Sequence, residues 1–146
     1  MCFKLLLIFN LRIDVSYGNT MEVTKTELRG VRDLCLNYYE NETAHIRAII
    51  LYGGAAKTYF GHDHIPGDFD LNIFFSKQSD VSSTYGMPKK IGEYNGLKVE
   101  AMRNKVPDES NIEEYIDTLD SKRWQRIRSE PVVQIYPDIK QVDWGG

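Results

Sequence analysis

The sequence predicts an α+β domain, and three observations carry the prediction. A capping-box pattern followed by an apolar helical stripe opens the interpretable part of the chain. Short β-branched runs bounded by turn residues fill its middle, and two further helical segments precede a last short strand. The resulting order, α-β-α-β-β-β-α-α-β, lacks the regular strand–helix alternation of a parallel α/β protein.

Residues 1–20 are the least determined part. The run Leu5 to Phe9 is apolar but far shorter than the ~18 residues a membrane span needs, and no small-residue cleavage site follows it. Met21 directly precedes a well-formed helix start, so residues 1–20 are expected to be an edge strand or a dispensable extension. Residues 21–146 are then one domain, since 146 residues leave no room for two ordinary ones.

The first helix spans about Thr24 to Tyr39. Thr24 and Glu27 have capping-box spacing, and Leu28, Val31, Cys35 and Tyr38 form one apolar face with Leu34 beside it. Ile46 to Tyr52 is a buried strand, ended by Gly53-Gly54. Ala55 to Phe60 makes a short helix, and 61–67, with two glycines and a proline, is a loop. Asp68 to Phe75 alternates: Asp68, Asp70 and Asn72 point one way, Phe69, Leu71 and Ile73 the other. Asn95-Gly96 joins strands Lys89 to Tyr94 and Leu97 to Arg103 as a hairpin. Glu100 lies on the Lys98–Met102 face of the second strand. A helix begins at Ser110 with Glu113 as its capping partner and Ile112, Tyr115, Ile116 and Leu119 as its stripe. A further helical stretch carries Trp124 and Ile127 into the core, and Val132 to Tyr136 is the last strand.

Composition excludes several classes. A 42% apolar and 27% charged chain is a globular domain rather than a disordered one. The net charge of -3 does not indicate binding to long nucleic acid. The basic group Lys122, Arg123, Arg126 and Arg128 reads first as a solvated helix face. Only Cys2 and Cys35 are present, so a disulfide framework is not expected and a reducing cytoplasm is the natural compartment. No membrane association is expected.

The chemistry concentrates in Leu51-Tyr52-Gly53-Gly54, thirteen residues, then Asp68-Phe69-Asp70-Leu71. Two glycines after a buried strand permit a sharp turn and close approach of backbone to a ligand. A helix starting there would aim free N–H groups at an anion such as triphosphate. Asp68 and Asp70 project from one strand face roughly 6.5 Å apart. Side-by-side carboxylates repel unless a cation lies between them, and Mg²⁺ or Mn²⁺ takes such oxygen ligands together with substrate phosphates. A pair of ions would activate an attacking oxygen and stabilise a leaving pyrophosphate. Glu100 is the candidate third ligand, with Glu93 and Asp143 as alternatives. His62, Asp63 and His64 lack further Cys or His partners besides His45, so they read as a polar rim rather than a zinc site.

Residues 46–102 resemble the nucleotidyltransferase superfamily typified by DNA polymerase β. Its signature is a hydrophobic residue before Gly-Gly or Gly-Ser, a short intervening segment, Asp-hydrophobic-Asp on a strand, and a third acidic residue on a later strand. The resemblance implies a nucleotidyltransferase-like fold, a mixed β-sheet flanked by helices. It implies transfer of a nucleoside monophosphate from a nucleoside triphosphate, with a slight preference for ATP, onto an acceptor hydroxyl. Asp68, Asp70 and Glu100 would be the catalytic and metal-binding residues, and Gly53 and Gly54 would bind the nucleotide. Ala55 stands where Ser or Thr often touches phosphate, which makes Lys57 and Thr58 the replacement candidates. The chain is too short for the extra helical domain of larger members. Some stand-alone members work with a small helical partner protein or belong to toxin–antitoxin pairs. Two other readings compete: a regulatory or antitoxin-like partner-binding module with weak or lost catalysis, and a domain in which Asp68 and Asp70 hold one structural cation such as Ca²⁺.

Overall fold

The computed structural model describes residues 22–63, 65–83, 87–107 and 111–142. The expectations for residues 1–20, His64, Ser110, Asp143 and the tail from Trp144 to Gly146 lie outside them.

Helix α1 (Lys25–Tyr38) begins at the expected capping box, with Thr24 accepting from Thr26 N and Glu27 accepting the Thr24 backbone N–H at 2.7 Å. Leu28, Val31 and Cys35 are buried as the stripe requires. Tyr38 is not: it is 43% exposed, and Tyr39 takes the core position at 7%. The helix ends at Tyr38, and the non-helical backbone of Tyr39 (φ -105°, ψ 38°) re-aims the next side chain inward. There its ring meets Phe75 edge-on at 5.3 Å. A 3₁₀ turn, Glu40–His45, which the sequence did not signal, leads into the sheet.

Strand β1 (Ile46–Tyr52) runs into α2 (Gly53–Tyr59), and β2 (Asp68–Ser76) follows the loop. The hairpin β3 (Lys89–Tyr94) and β4 (Leu97–Val106) turns at Asn95 and Gly96, both with positive φ (50° and 80°). That conformation is what makes Asn-Gly the preferred pair there. Helices α3 (Ile112–Asp117) and α4 (Lys122–Arg128) come next, then β5 (Val133–Tyr136) and the unexpected two-residue β6 (Lys140–Gln141). The N-cap of α3 is Asn111, whose side chain accepts from Glu114 N at 3.1 Å, rather than Ser110. Asn111 takes the role because its side-chain oxygen reaches a free first-turn N–H as well as a serine would.

The six strands form one sheet in the order β3-β4-β2-β1-β5-β6. β2 and β4 are parallel and every other neighbouring pair is antiparallel, so the sheet is mixed. Alternation along the strands builds two cores. Phe69, Leu71, Ile73 and Phe75 of β2 pack with residues of α1 and α2 on one face. On the other face Ala48, Ile50, Phe74 and Val106 pack with Ile116, Trp124 and Ile127 of α3 and α4. The protein is thus an α+β domain with helices on both faces of a mixed sheet. Among the described residues, no helix is long and apolar enough to cross a membrane.

Candidate metal centre

β2 changes character along its length on the α3–α4 face. Phe74 and Asn72 are fully buried beneath the helices, whereas Asp70 and Asp68, nearer the strand's start, are only half-buried. The parallel pairing of β2 with β4 sets Asp68 opposite Lys98 and Asp70 opposite Glu100. Antiparallel pairing with β1 puts Tyr52 on the other side of Asp70. Three strands therefore present Tyr52, Asp70 and Glu100 in one row, with Asp68 one step away.

Ligand oxygens of Asp68, Asp70 and Glu100 all lie within 4.8 Å of one another, the one such group of metal-ligating side chains among the described residues. The crowding has an electrostatic signature at Asp70. Burial, a hydrogen bond to the Asp68 carboxyl, and the charges of Asp68 and Glu100 push its pKa from 3.8 up to about 7. The Lys98 ammonium, 3.3 Å from Glu100 Oε2, offsets only part of this. An all-carboxylate donor set carrying excess negative charge fits a hard divalent cation such as Mg²⁺ or Mn²⁺.

The glycine half of the motif meets the aspartate half directly. Gly53 has φ +74°, and a Cβ there would stand 3.2 Å from Asp70 Oδ2. The position thus demands glycine for its backbone and leaves little space for a side chain. Gly54 is the second residue of α2. Lys57 and Thr58, farther along that helix, have engagements of their own. Lys57 Nζ is 3.8 Å from Glu130 Oε2, and Thr58 Oγ1 donates to Gly54 O at 2.9 Å.

Several other candidates sort themselves by position. Glu93 is exposed and pairs with Lys90 at 3.0 Å, outside the cluster. His62 and Asp63 are exposed, and His45 lies 3.1 Å from Ser76 Oγ. The basic group on α4 divides. Arg128 donates to Ile116 O at 2.7 Å and joins α4 to α3. Arg123 and Arg126 instead act electrostatically on Tyr52, whose pKa is raised first by burial and then by Asp70. Trp124 is core, as its apolar neighbours require.

Sequence reasoning passed over Tyr52, Lys98 and the full burial of Asn72. Tyr52 stood within the glycine motif as its hydrophobic residue, and only the β1–β2 register reveals that it neighbours Asp70. Lys98 was placed on the strand face of Glu100 by alternation, but its ion pair with Glu100 was not drawn from that. No protein-family model matches the chain, and no curated protein matches it.

Proposed function

We propose that the protein is a metal-dependent nucleotidyltransferase, moving a nucleoside monophosphate from a nucleoside triphosphate to an acceptor hydroxyl. The observation that carries this reading is the convergence of Asp68, Asp70 and Glu100 within 4.8 Å beside the turn at Gly53. Asp68 and Asp70 would hold two Mg²⁺ or Mn²⁺ ions, with Glu100 as the third ligand. Bound there, the ions supply charge neutralisation to the triphosphate and the departing pyrophosphate.

The chain's own residues do the remaining work. Gly53 and Gly54 present backbone to the β- and γ-phosphates. Glu100 accepts the acceptor hydroxyl's proton on a carboxylate oxygen as that hydroxyl oxygen bonds to the α-phosphorus. The bond from the α-phosphorus to the bridging oxygen breaks, and pyrophosphate leaves with the electron pair. Positioning and charge complementarity supply most of the rate in such a transfer.

Thermal unfolding with each of the four nucleoside triphosphates, with and without Mg²⁺ or Mn²⁺, tests the reading. At 100 times the dissociation constant, ligand binding adds about 2.7 kcal/mol, or about 5–10 °C in Tm for a domain of this size. A metal-dependent shift with one nucleotide is the expected result and names the donor. Stabilisation by metal alone would indicate a structural cation site, and no shift at all would turn the reading toward a partner-binding module.

A further inference from the structure

One residue beside the acidic cluster carries an anomaly that packing does not explain. Asn72 follows Asp70 by two positions on the same face of β2 and has no exposed surface. Its Oδ1 accepts from Asn104 Nδ2 at 3.1 Å, but its own Nδ2 is buried with no hydrogen-bond partner among the described residues. Leaving a buried amide donor unsatisfied opposes folding, whereas a leucine would fill this volume without that cost. The neighbours across the sheet are Ile50 and Met102, which offer apolar packing.

The amide's one hydrogen bond lies on the side away from the acids. Asn104 stands opposite Phe74, one step farther from the acids than Asn72 itself. Its oxygen is engaged on that side, and the next residue in the other direction on the same face of β2 is Asp70. Same-face neighbours on a strand lie roughly 6.5 Å apart, a span that one amide and one water cover.

We infer that Asn72 is a positioning residue for the cation site, its Nδ2 donating directly or through one water to the Asp70 carboxylate when that carboxylate holds a divalent ion. This rests on the proposed cation site. Donors behind a ligating carboxylate fix its orientation, and their removal costs about 10- to 100-fold in metal affinity. Asn104 sets the rotamer of Asn72, so the two asparagines form a relay toward the ligand.

Mn²⁺ binding to the full chain, followed by titration calorimetry without nucleotide, tests the inference through an isosteric pair. Asn72→Val and Asn72→Thr share shape and volume but differ in a donor hydroxyl. Asn72→Val is expected to weaken Mn²⁺ binding about tenfold or more, while Asn72→Thr stays within about threefold of wild type. A purely structural role would lower Tm in both and leave Mn²⁺ affinity alike, which would overturn the inference. Should Asn72→Val not fold, Asn72→Leu takes its place in the comparison. Asp70→Asn separates this from the parent reading. If Asp70→Asn binds Mn²⁺ as wild type does, or wild type binds none, the cation site itself fails. If Asp70→Asn abolishes binding while Asn72→Val does not weaken it, only the role of Asn72 falls.

Discussion

Asp70 on β2 and Glu100 on β4 are direct partners across the parallel ladder, so their carboxylates leave the sheet from adjacent positions on one face. Asp68 precedes Asp70 on that face, and Lys98 precedes Glu100. The antiparallel hairpin β3–β4 could not by itself bring Glu100 to Asp70. The crossing of β4 back alongside β2 does so, and with it comes a site whose charge the protein only partly balances.

That imbalance makes metal-free stability depend on pH. The Asp70 pKa is about 7 in the folded chain against 3.8 ordinarily, raised by burial, by the hydrogen bond to Asp68 and by neighbouring charge. Between those values the folded chain holds a proton that the unfolded chain has lost, so stability falls as pH rises. The contribution is fully present below the unfolded value and gone above about 7. Tm of metal-free protein should therefore drop from about pH 5 to 8, with Asp70→Asn flattening the decline and exceeding wild type at the alkaline end. Parallel curves for the two proteins would show that Asp70 is not the group responsible.

Gly53 links backbone strain to the same carboxylate. At φ +74° an alanine is held in the left-handed region, costing about 1–2 kcal/mol. Its Cβ would also press on Asp70 Oδ2 from 3.2 Å. Gly53→Ala should lose about that stability in urea unfolding and weaken Mn²⁺ binding as well. Loss of stability with unchanged Mn²⁺ affinity would separate the turn from the site.

Gly30 poses a different question, on the opposite face of the sheet. A Cβ there would lie 2.2 Å from Tyr94 Cε1, so the ring of Tyr94 must move to admit it. That ring packs edge-on against Phe69 with centroids 6.0 Å apart. Alanine gains about 1 kcal/mol over glycine inside a helix, but overpacking costs about 1–3 kcal/mol. Gly30→Ala should thus be neutral to destabilising by about 2 kcal/mol in wild type. In a Tyr94→Ala background the same change should stabilise by about 1 kcal/mol, as a double-mutant cycle from chemical denaturation would show. Equal effects in both backgrounds would mean that Tyr94 does not occupy the space above Gly30.

The readable and unreadable parts of this chain divide along physical lines. Local signals translated directly: the Thr24–Glu27 capping box, the β-branched run 46–52, the Asn95-Gly96 turn and the alternation at 68–73 each act within a few residues. Ends of elements translated less well, because tertiary contact decides them. Tyr38 and Tyr39 are equally apolar, and only the backbone departure after Tyr38 chose which is buried. The acids of the site were visible as residue types, and the strand face of Glu100 was visible from alternation. Which strand lies beside β2 was not, since register and strand order are long-range properties. The place of Tyr52 beside Asp70, and of Asn72 between Ile50 and Met102, became visible only through that order.

The assignment of the third acid can be decided by comparing two glutamates only seven residues apart. Glu100 faces Asp70, is one-fifth exposed and lies within the carboxylate group, whereas Glu93 is 60% exposed and engaged with Lys90. Removing a positioned general base costs about 10²- to 10⁴-fold in rate. Glu100→Gln keeps the shape but cannot accept the proton or match the anionic ligand, so nucleotide-dependent pyrophosphate release in Mg²⁺ should fall by at least about 100-fold. Glu93→Gln should leave that rate essentially unchanged, because an exposed ion pair of this kind contributes at most about 1 kcal/mol to stability and touches no ligand oxygen. The pyrophosphate assay on both variants, with circular dichroism to confirm folding, reads the difference directly. A large loss in Glu93→Gln and none in Glu100→Gln would move the third ligand to β3 and require the two strands to exchange roles at the site.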